Sequence, residues 1–295
     1  MHKNGKLFLS LHKFSREMEE NTRKRSSKYV LVVCILIVVA VFLINIFWSW
    51  AFGQKLFYRR PTTVVKMELP RKLKDRPEQI LQKDGFVVSF NSQTNCPNYV
   101  AWYLTEKRAK ARSVQRKDEF NGDPSIPANR RVESFDYNNS RYDRGHMCPS
   151  GDNKHSRQAM DDCFLMTNMC PQAHNLNIGA WNDLEQECRR WAKYYGAVAI
   201  VCGPIFDSKN PRTFGRRGHR VSIPDRFFKV VLMNGRIPKA IGFIYPNNDT
   251  HKPMRTFAVS VDEVERQTGI DFFYQLDDNI ENRIEAECKP AAWNI

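Results

Sequence analysis

Val30–Trp50 is a run of 21 residues without a single charge, ending in Ile-Phe-Trp-Ser-Trp. A helix over it rises about 1.5 Å per residue and spans roughly 30 Å, the thickness of a bilayer core. Tyr29 stands at one end and Trp48 and Trp50 at the other, where interfacial aromatics belong. The run is longer than the apolar region of a secretory signal, and no small-x-small cleavage site follows it. The expectation is an uncleaved transmembrane anchor, with a lipid bilayer as partner of Val30–Trp50. It divides the chain into a short basic segment (1–29), the anchor (30–52), a stalk or linker (53–83) and one globular domain (84–295). Arg16, Arg23, Lys24, Arg25 and Lys28 precede the span, against Lys55, Arg59, Arg60 and Lys66 after it. That slight excess places the N-terminus in the cytoplasm and the domain outside it, in the periplasm or at the cell surface.

Net charge is +14; the first 29 residues, with eight Lys/Arg and three Glu, account for +5 of it. The remaining residues carry +9, so the excess is not confined to the N-terminal segment, and such charge suits a polyanion binder. Cys34 lies in the apolar run, which leaves Cys96, Cys148, Cys163, Cys170, Cys188, Cys202 and Cys288. An odd set of seven in an exported domain predicts disulfides with at least one thiol left over. No C-x-x-C pair argues for zinc.

Within the domain, 86–90, 99–104, 197–202, 227–233 and 239–245 read as strands, being apolar, β-branched or aromatic runs bounded by turn residues. Residues 107–117 carry six Lys/Arg and read as a solvated loop. The clearest helix is 178–195, with Trp181, Leu184, Cys188, Trp191 and Tyr195 on one face and Gly196 as its stop. A second helix covers 261–267. Strands mixed with unequal helices, without regular βαβ alternation, give an α+β class.

The chemistry concentrates in Asp143-Arg144-Gly145-His146 and in the amide-rich stretch from Asn168 to Asn177. Phosphodiester hydrolysis needs a base for water, positive charge for the phosphoryl oxygens and stabilisation of the leaving oxygen. His146 titrates near working pH and suits the base. Arg144 offers a planar fork for phosphate. Asn177, at the helix start, supplies a hard amide oxygen of the kind Mg²⁺ accepts. Glu185 can hold a metal-bound water, and Arg189 can reach phosphate. Each residue alone also has a structural reading: His146 in a core, Asn177 as an N-cap, Glu185 and Arg189 as a helical ion pair worth a few tenths of a kcal/mol. Cys148 beside His146 raises the rival of a thiol enzyme, and a basic domain that captures nucleic acid without cutting it is another.

Together with Asn168-Met169-Cys170-Pro171-Gln172, Asn175, Asn177, Trp181, Leu184-Glu185 and Arg189, the Asp-Arg-Gly-His motif resembles the DNA/RNA non-specific endonuclease family. The resemblance implies a ββα-metal (His-Me finger) domain with mixed or antiparallel sheets and flanking helices. It implies His146 as general base, Asn177 as the direct Mg²⁺ ligand (Mn²⁺ as substitute), and Glu185 acting on the metal through water. Arg144 and Arg189 would contact the scissile phosphate, Asn168 would position the site, and Gln172 would assist. The products would be 5′-phosphate ends of DNA and RNA bound through their backbones, and a second copy of the chain is a candidate partner. The family also uses an upstream phosphate-binding arginine, for which Arg112, Arg116, Arg130 and Arg131 stand as candidates.

Overall fold

The computed structural model describes residues 66–250 and 252–295, together with Leu36, Val39, Ala40, Val41, Leu43 and Ile44. Those six are helical, and their side chains are exposed. The rest of the expected anchor, and residues 1–29, lie outside the described residues. Among the described residues, no helix is long and apolar enough to cross a membrane.

The strands are β1 (Gln79–Lys83), β2 (Phe86–Asn91), β3 (Cys96–Thr105), β4 (Asp143–His146), β5 (Met169–Gln172), β6 (Ala197–Ile205), β7 (Thr213–Phe214), β8 (Val221–Ser222), β9 (Arg226–Met233), β10 (Lys239–Pro246) and β11 (Ala258–Val259). The α-helices are α1 (Glu106–Lys110), α2 (Arg157–Cys163), α3 (Asn182–Tyr195), α4 (Val261–Thr268) and α5 (Asp278–Ala286). Seven strands form one sheet in the order β1-β2-β3-β6-β9-β10-β11, antiparallel at every step. The class is α+β, as expected, and the sheets are antiparallel rather than mixed.

The central strands are covered on both faces, which is why β6 is buried over all nine residues and reads as continuous apolar sequence. Alternate residues serve two cores. Val198, Ile200 and Cys202 of β6 and Phe227 and Val231 of β9 join one of them, beneath α3. Ala199 and Val201, with Phe228, Val230 and Leu232, join the other, beneath α4 and α5. Burying a side chain such as Leu184 or Phe228 fully stabilises the fold by about 1.5–3 kcal/mol. On β9, the alternation puts Lys229 in the first core among Trp102 and Trp181.

The chain leaves the sheet at Thr105 and returns beside it at Ala197, its register partner. Glu106 N–H donates to the carbonyl of Gly196 at 2.6 Å, which closes the excursion. Gly196 has φ 89°, a left-handed turn that ends α3. Everything between these points, β4, β5 and α3 included, lies over one face of the sheet.

Three expectations need correction. The domain starts upstream of Asp84: β1 pairs with β2 over residues 79–83, and Leu73 is buried in the second core. Residues 107–117 are not a uniform solvated loop. Arg108, on α1, is buried and donates to the carbonyl of Asp152 (2.7 Å) and to Asn153 Oδ1 (2.7 Å). No disulfide forms among the seven described cysteines: six are buried thiols in the first core and Cys288 is exposed. They fill space as small apolar groups there.

Candidate active site

The β4–β5 ribbon pairs Asp143 with Gln172, Arg144 with Pro171, Gly145 with Cys170 and His146 with Met169. A Cβ on Gly145 would lie 2.6 Å from Gln172 Cβ, so only glycine lets this pair approach. After β5 the chain makes a wide turn, Leu176–Trp181, and restarts as α3. The single helix expected over 178–195 is thus broken at Gly179, whose φ and ψ (−104°, −109°) no helix shares. The Trp181 indole donates to the carbonyl of His146 at 3.2 Å and ties helix to strand. β4, the turn after β5 and α3, with the loops beside them, wall a cleft of about 760 Å³.

Five of the six expected site residues line that cleft: Arg144, His146, Asn177, Glu185 and Arg189. The His146 ring packs edge-on to Phe164, with centroids 4.8 Å apart, and its buried Nε2 has no hydrogen-bond partner. Burial, reinforced by the nearby Arg116 guanidinium, holds its pKa down to about 3. The imidazole is therefore neutral at neutral pH and keeps a lone pair for a proton.

Asn177 donates from Nδ2 to Asp143 Oδ2 at 2.8 Å, which turns its carbonyl oxygen away from that carboxylate. It is not an N-cap: its own N–H bonds the carbonyl of Ala173, and the cap position is Asn175. Asn175 reaches Asp249 at 2.8 Å and lies outside the cleft. Asp143, ambiguous in the sequence, orients both Asn177 and His174 (2.9 Å).

Glu185 and Arg189 do not form the helical ion pair that was their alternative structural reading. Arg189 Nη1 donates to Asp152 Oδ1 at 2.9 Å. Gly151 makes room for it, since a Cβ there would sit 2.8 Å from Nη1. Asp152 is 1% exposed and also accepts the Trp102 indole N–H at 3.0 Å. Burial pushes the Glu185 carboxyl up to about 7, against the pull of Lys229 and Arg189. Lys229 is fully buried, its Nζ without a hydrogen-bond partner and 4.1 Å from the Trp181 ring centroid.

Of the four upstream arginines, Arg116 lines the cleft. It reaches Ser150 Oγ at 3.2 Å and lies over the Phe164 ring at 5.3 Å. Arg112 donates to the carbonyl of Ala111, Arg130 to that of Ser92, and Arg131 is paired with Glu133. Arg144 lies over Phe120 at 4.5 Å. With Lys154, the cleft gathers four cationic side chains against the carboxylates of Asp143 and Glu185.

Asn168 is absent from the lining and fully buried. Its Oδ1 accepts Cys148 N–H at 2.9 Å, and its Nδ2 donates to the carbonyls of Cys148 (2.9 Å) and Cys163 (2.8 Å). It clamps the backbone just beyond His146 and cannot touch a substrate. Gln172 is likewise buried, packed behind Gly145. Cys148 is buried, and burial pushes its thiol up to about 12, which removes the thiol-enzyme reading. Asp152 and Lys229 carried no signal in the sequence: one reads as a loop acid, the other as a polar residue interrupting a strand.

Residues 69–279 match the family model described as DNA/RNA non-specific endonuclease. Nuclease C1 of Cunninghamella echinulata var. echinulata is 34% identical over 210 residues, covering 67% of this chain and 83% of that protein. Human mitochondrial endonuclease G is 30% identical over 206 residues, covering 66% of this chain and 69% of its own length. A crystal structure of EndoG with EndoGI superposes with a TM-score of 0.66 at 27% identity, over 74% of this chain and 94% of that one. The match begins upstream of Asp84, where β1 already belongs to the sheet. The chain belongs to the DNA/RNA non-specific endonuclease family.

Proposed function

We propose that this nuclease is a membrane-anchored, Mg²⁺-dependent endonuclease that cuts DNA and RNA without regard to sugar or sequence and leaves 5′-phosphate ends. The observation that carries the reading is the convergence, in one cleft, of a neutral unpartnered imidazole, an amide oxygen, a carboxylate and three guanidinium groups. His146 takes the proton of the attacking water. Arg116, Arg144 and Arg189 hold the phosphodiester by its oxygens, which every nucleic acid presents, and no base readout is needed. Asn177 and Glu185 fit a hard cation: an amide oxygen directed away from Asp143 and a half-buried carboxylate wall the same cleft. Asn177 would hold the ion directly and Glu185 through water. Such an ion would supply positive charge to offset the charge that develops on the phosphodiester oxygens.

The exposed apolar helix residues Leu36, Val39, Val41, Leu43 and Ile44 support the anchor at Val30–Trp50, with the N-terminus cytoplasmic and the nuclease outside. Assembly as a homodimer belongs to the same proposal. Digestion of plasmid DNA and of RNA by the full chain, with Mg²⁺ and with EDTA, tests the activity. Undiminished cleavage by His146→Ala would refute the base, and unchanged Mg²⁺ dependence in Asn177→Ala would refute the ligand.

A further inference from the structure

The face of the sheet opposite the cleft carries three carboxylates that the nuclease reading does not use. Asp262 and Glu265 lie three residues apart on α4 and so share a face of that helix. Glu285 comes from α5, which packs against α4. One oxygen from each of the three lies within 4.8 Å of the others. Oxygens that share one Ca²⁺ ion at about 2.4 Å each stand no more than about 4.8 Å apart, and the three oxygens meet that condition.

Acidic clusters are common on surfaces, but this one has a buried member. Glu285 is 4% exposed, and its Oε1 has no hydrogen-bond partner. A carboxylate oxygen taken from water and left unpaired is costly unless a cation or a proton meets it. The strongest charges acting on Glu285 are all of its own sign: Glu265, Glu281, Asp262 and Asp271. Arg71, at the rim, is occupied by Asp271 at 2.7 Å. Glu265 is anchored independently, one oxygen accepting Phe272 N–H at 2.7 Å. Asp262 is exposed and leaves the group open to solvent on one side.

We infer that Asp262, Glu265 and Glu285 form a second divalent-cation site, of calcium size, that ties α4 to α5 on the side of the sheet away from catalysis. All donors are hard oxygens, and three carboxylates with water suit an ion that accepts variable geometry over one that demands a tight octahedron. The ion replaces like-charge repulsion between the helices with a shared ligand. Its role is stability of the domain, and nucleic acid does not touch it.

The test uses the full chain in detergent, carrying Asn177→Ala so that the cleft contributes no metal binding, and CaCl₂ as the probe. Calorimetric titration is expected to give one Ca²⁺ per chain. Thermal unfolding at about 100-fold excess over Kd is expected to rise by about 5 °C above the EDTA value. Adding Glu285→Gln or, as an independent variant, Glu265→Gln should abolish both effects, and Glu285→Gln should unfold at a higher temperature than its parent in EDTA. In the otherwise unaltered chain, Glu285→Gln should leave Mg²⁺-supported cleavage unchanged. Absence of Ca²⁺ binding by the Asn177→Ala chain, or undiminished binding after either carboxylate is changed, overturns the site in favour of a proton shared between carboxyls. These outcomes are independent of whether the cleft proves to be a nuclease site.

Discussion

Replacing Asp152 by Asn isolates the device that holds Arg189 in the cleft. Asp152 uses one oxygen for Arg189 Nη1 at 2.9 Å and the other for the Trp102 indole at 3.0 Å. Asparagine has the same size but only one acceptor. With its oxygen toward Arg189, its NH₂ faces the indole N–H, donor against donor, inside the core. A buried donor left unsatisfied costs about 1–3 kcal/mol. Removing the charge from one side of a buried pair adds to this, and breaking such pairs costs about 3–5 kcal/mol in all. For a domain of this size each kcal/mol lowers Tm by roughly 2–4 °C, so a fall of about 10 °C is expected by calorimetry. Arg189, freed from its anchor, should lose its aim at phosphate, and kcat/KM on a phosphodiester substrate should drop by roughly 10- to 100-fold, about 1.4–2.8 kcal/mol. The decisive measurement is a double-mutant cycle with Arg189→Ala. If Arg189→Ala costs as much activity in the Asp152→Asn background as in the parent, Asp152 does not position it and the argument fails.

Other consequences follow from the same geometry. The acid limb of cleavage at sub-saturating Mg²⁺ should belong to Glu185, whose burial raises it to about 7 before any ion binds, because His146 is neutral down to about pH 3; a bound ion favours the carboxylate, so the limb should move to lower pH as Mg²⁺ is raised, and Glu185→Gln should lower activity and remove it in a pH–rate profile. Between about pH 4.5 and 7 the folded chain keeps a proton on Glu185 that the unfolded chain has lost, so that contribution to stability fades as pH rises through 7. The depressed His146 acts oppositely: unfolded chains bind its proton below about pH 6.5 and the folded one does not until about pH 3, so stability falls as pH falls across that window, and Tm of His146→Ala should lose this dependence. Lys229→Met removes a buried cation with no hydrogen-bond partner; Tm should be unchanged or higher, while the Glu185 limb moves to higher pH. Gly145→Ala should destabilise the ribbon by about 1–3 kcal/mol through its contact with Gln172, and Gln172→Gly in the same chain should recover part of the loss in thermal melts.

β2, β3, β6, β9 and β10 were readable because both faces of the central sheet are covered, which leaves apolar runs such as Ala197–Ile205 that need no partner to recognise. The helix carrying Glu185 and Arg189 announced itself by period, with Trp181, Leu184, Cys188, Trp191 and Tyr195 all turning inward. Its break at Gly179 did not, since the apolar stripe continues across it and the backbone angles that interrupt the turn have no signature of their own. Motif and spacing singled out His146, Asn177 and Glu185, and the fold brings all three to one cleft. What the order of residues could not carry was pairing. Glu185 and Arg189, four apart on a helix, invite an ion pair, yet Asp152, 37 residues upstream, captures the arginine because Gly151 opens a path to it. Arg116 was one of four equivalent arginines until Phe164 and Ser150 fixed its place beside His146. Asn168 stood as a positioning residue without a visible means, and the means is a buried amide that spends its hydrogen bonds on backbone. The cysteines went the same way. Seven thiols outside the anchor read as a disulfide set, but six lie in one core where the sheet buries them as small apolar groups. In each case the residue type was sufficient to name a chemistry, and the partner, chosen in three dimensions, decided whether that chemistry was available.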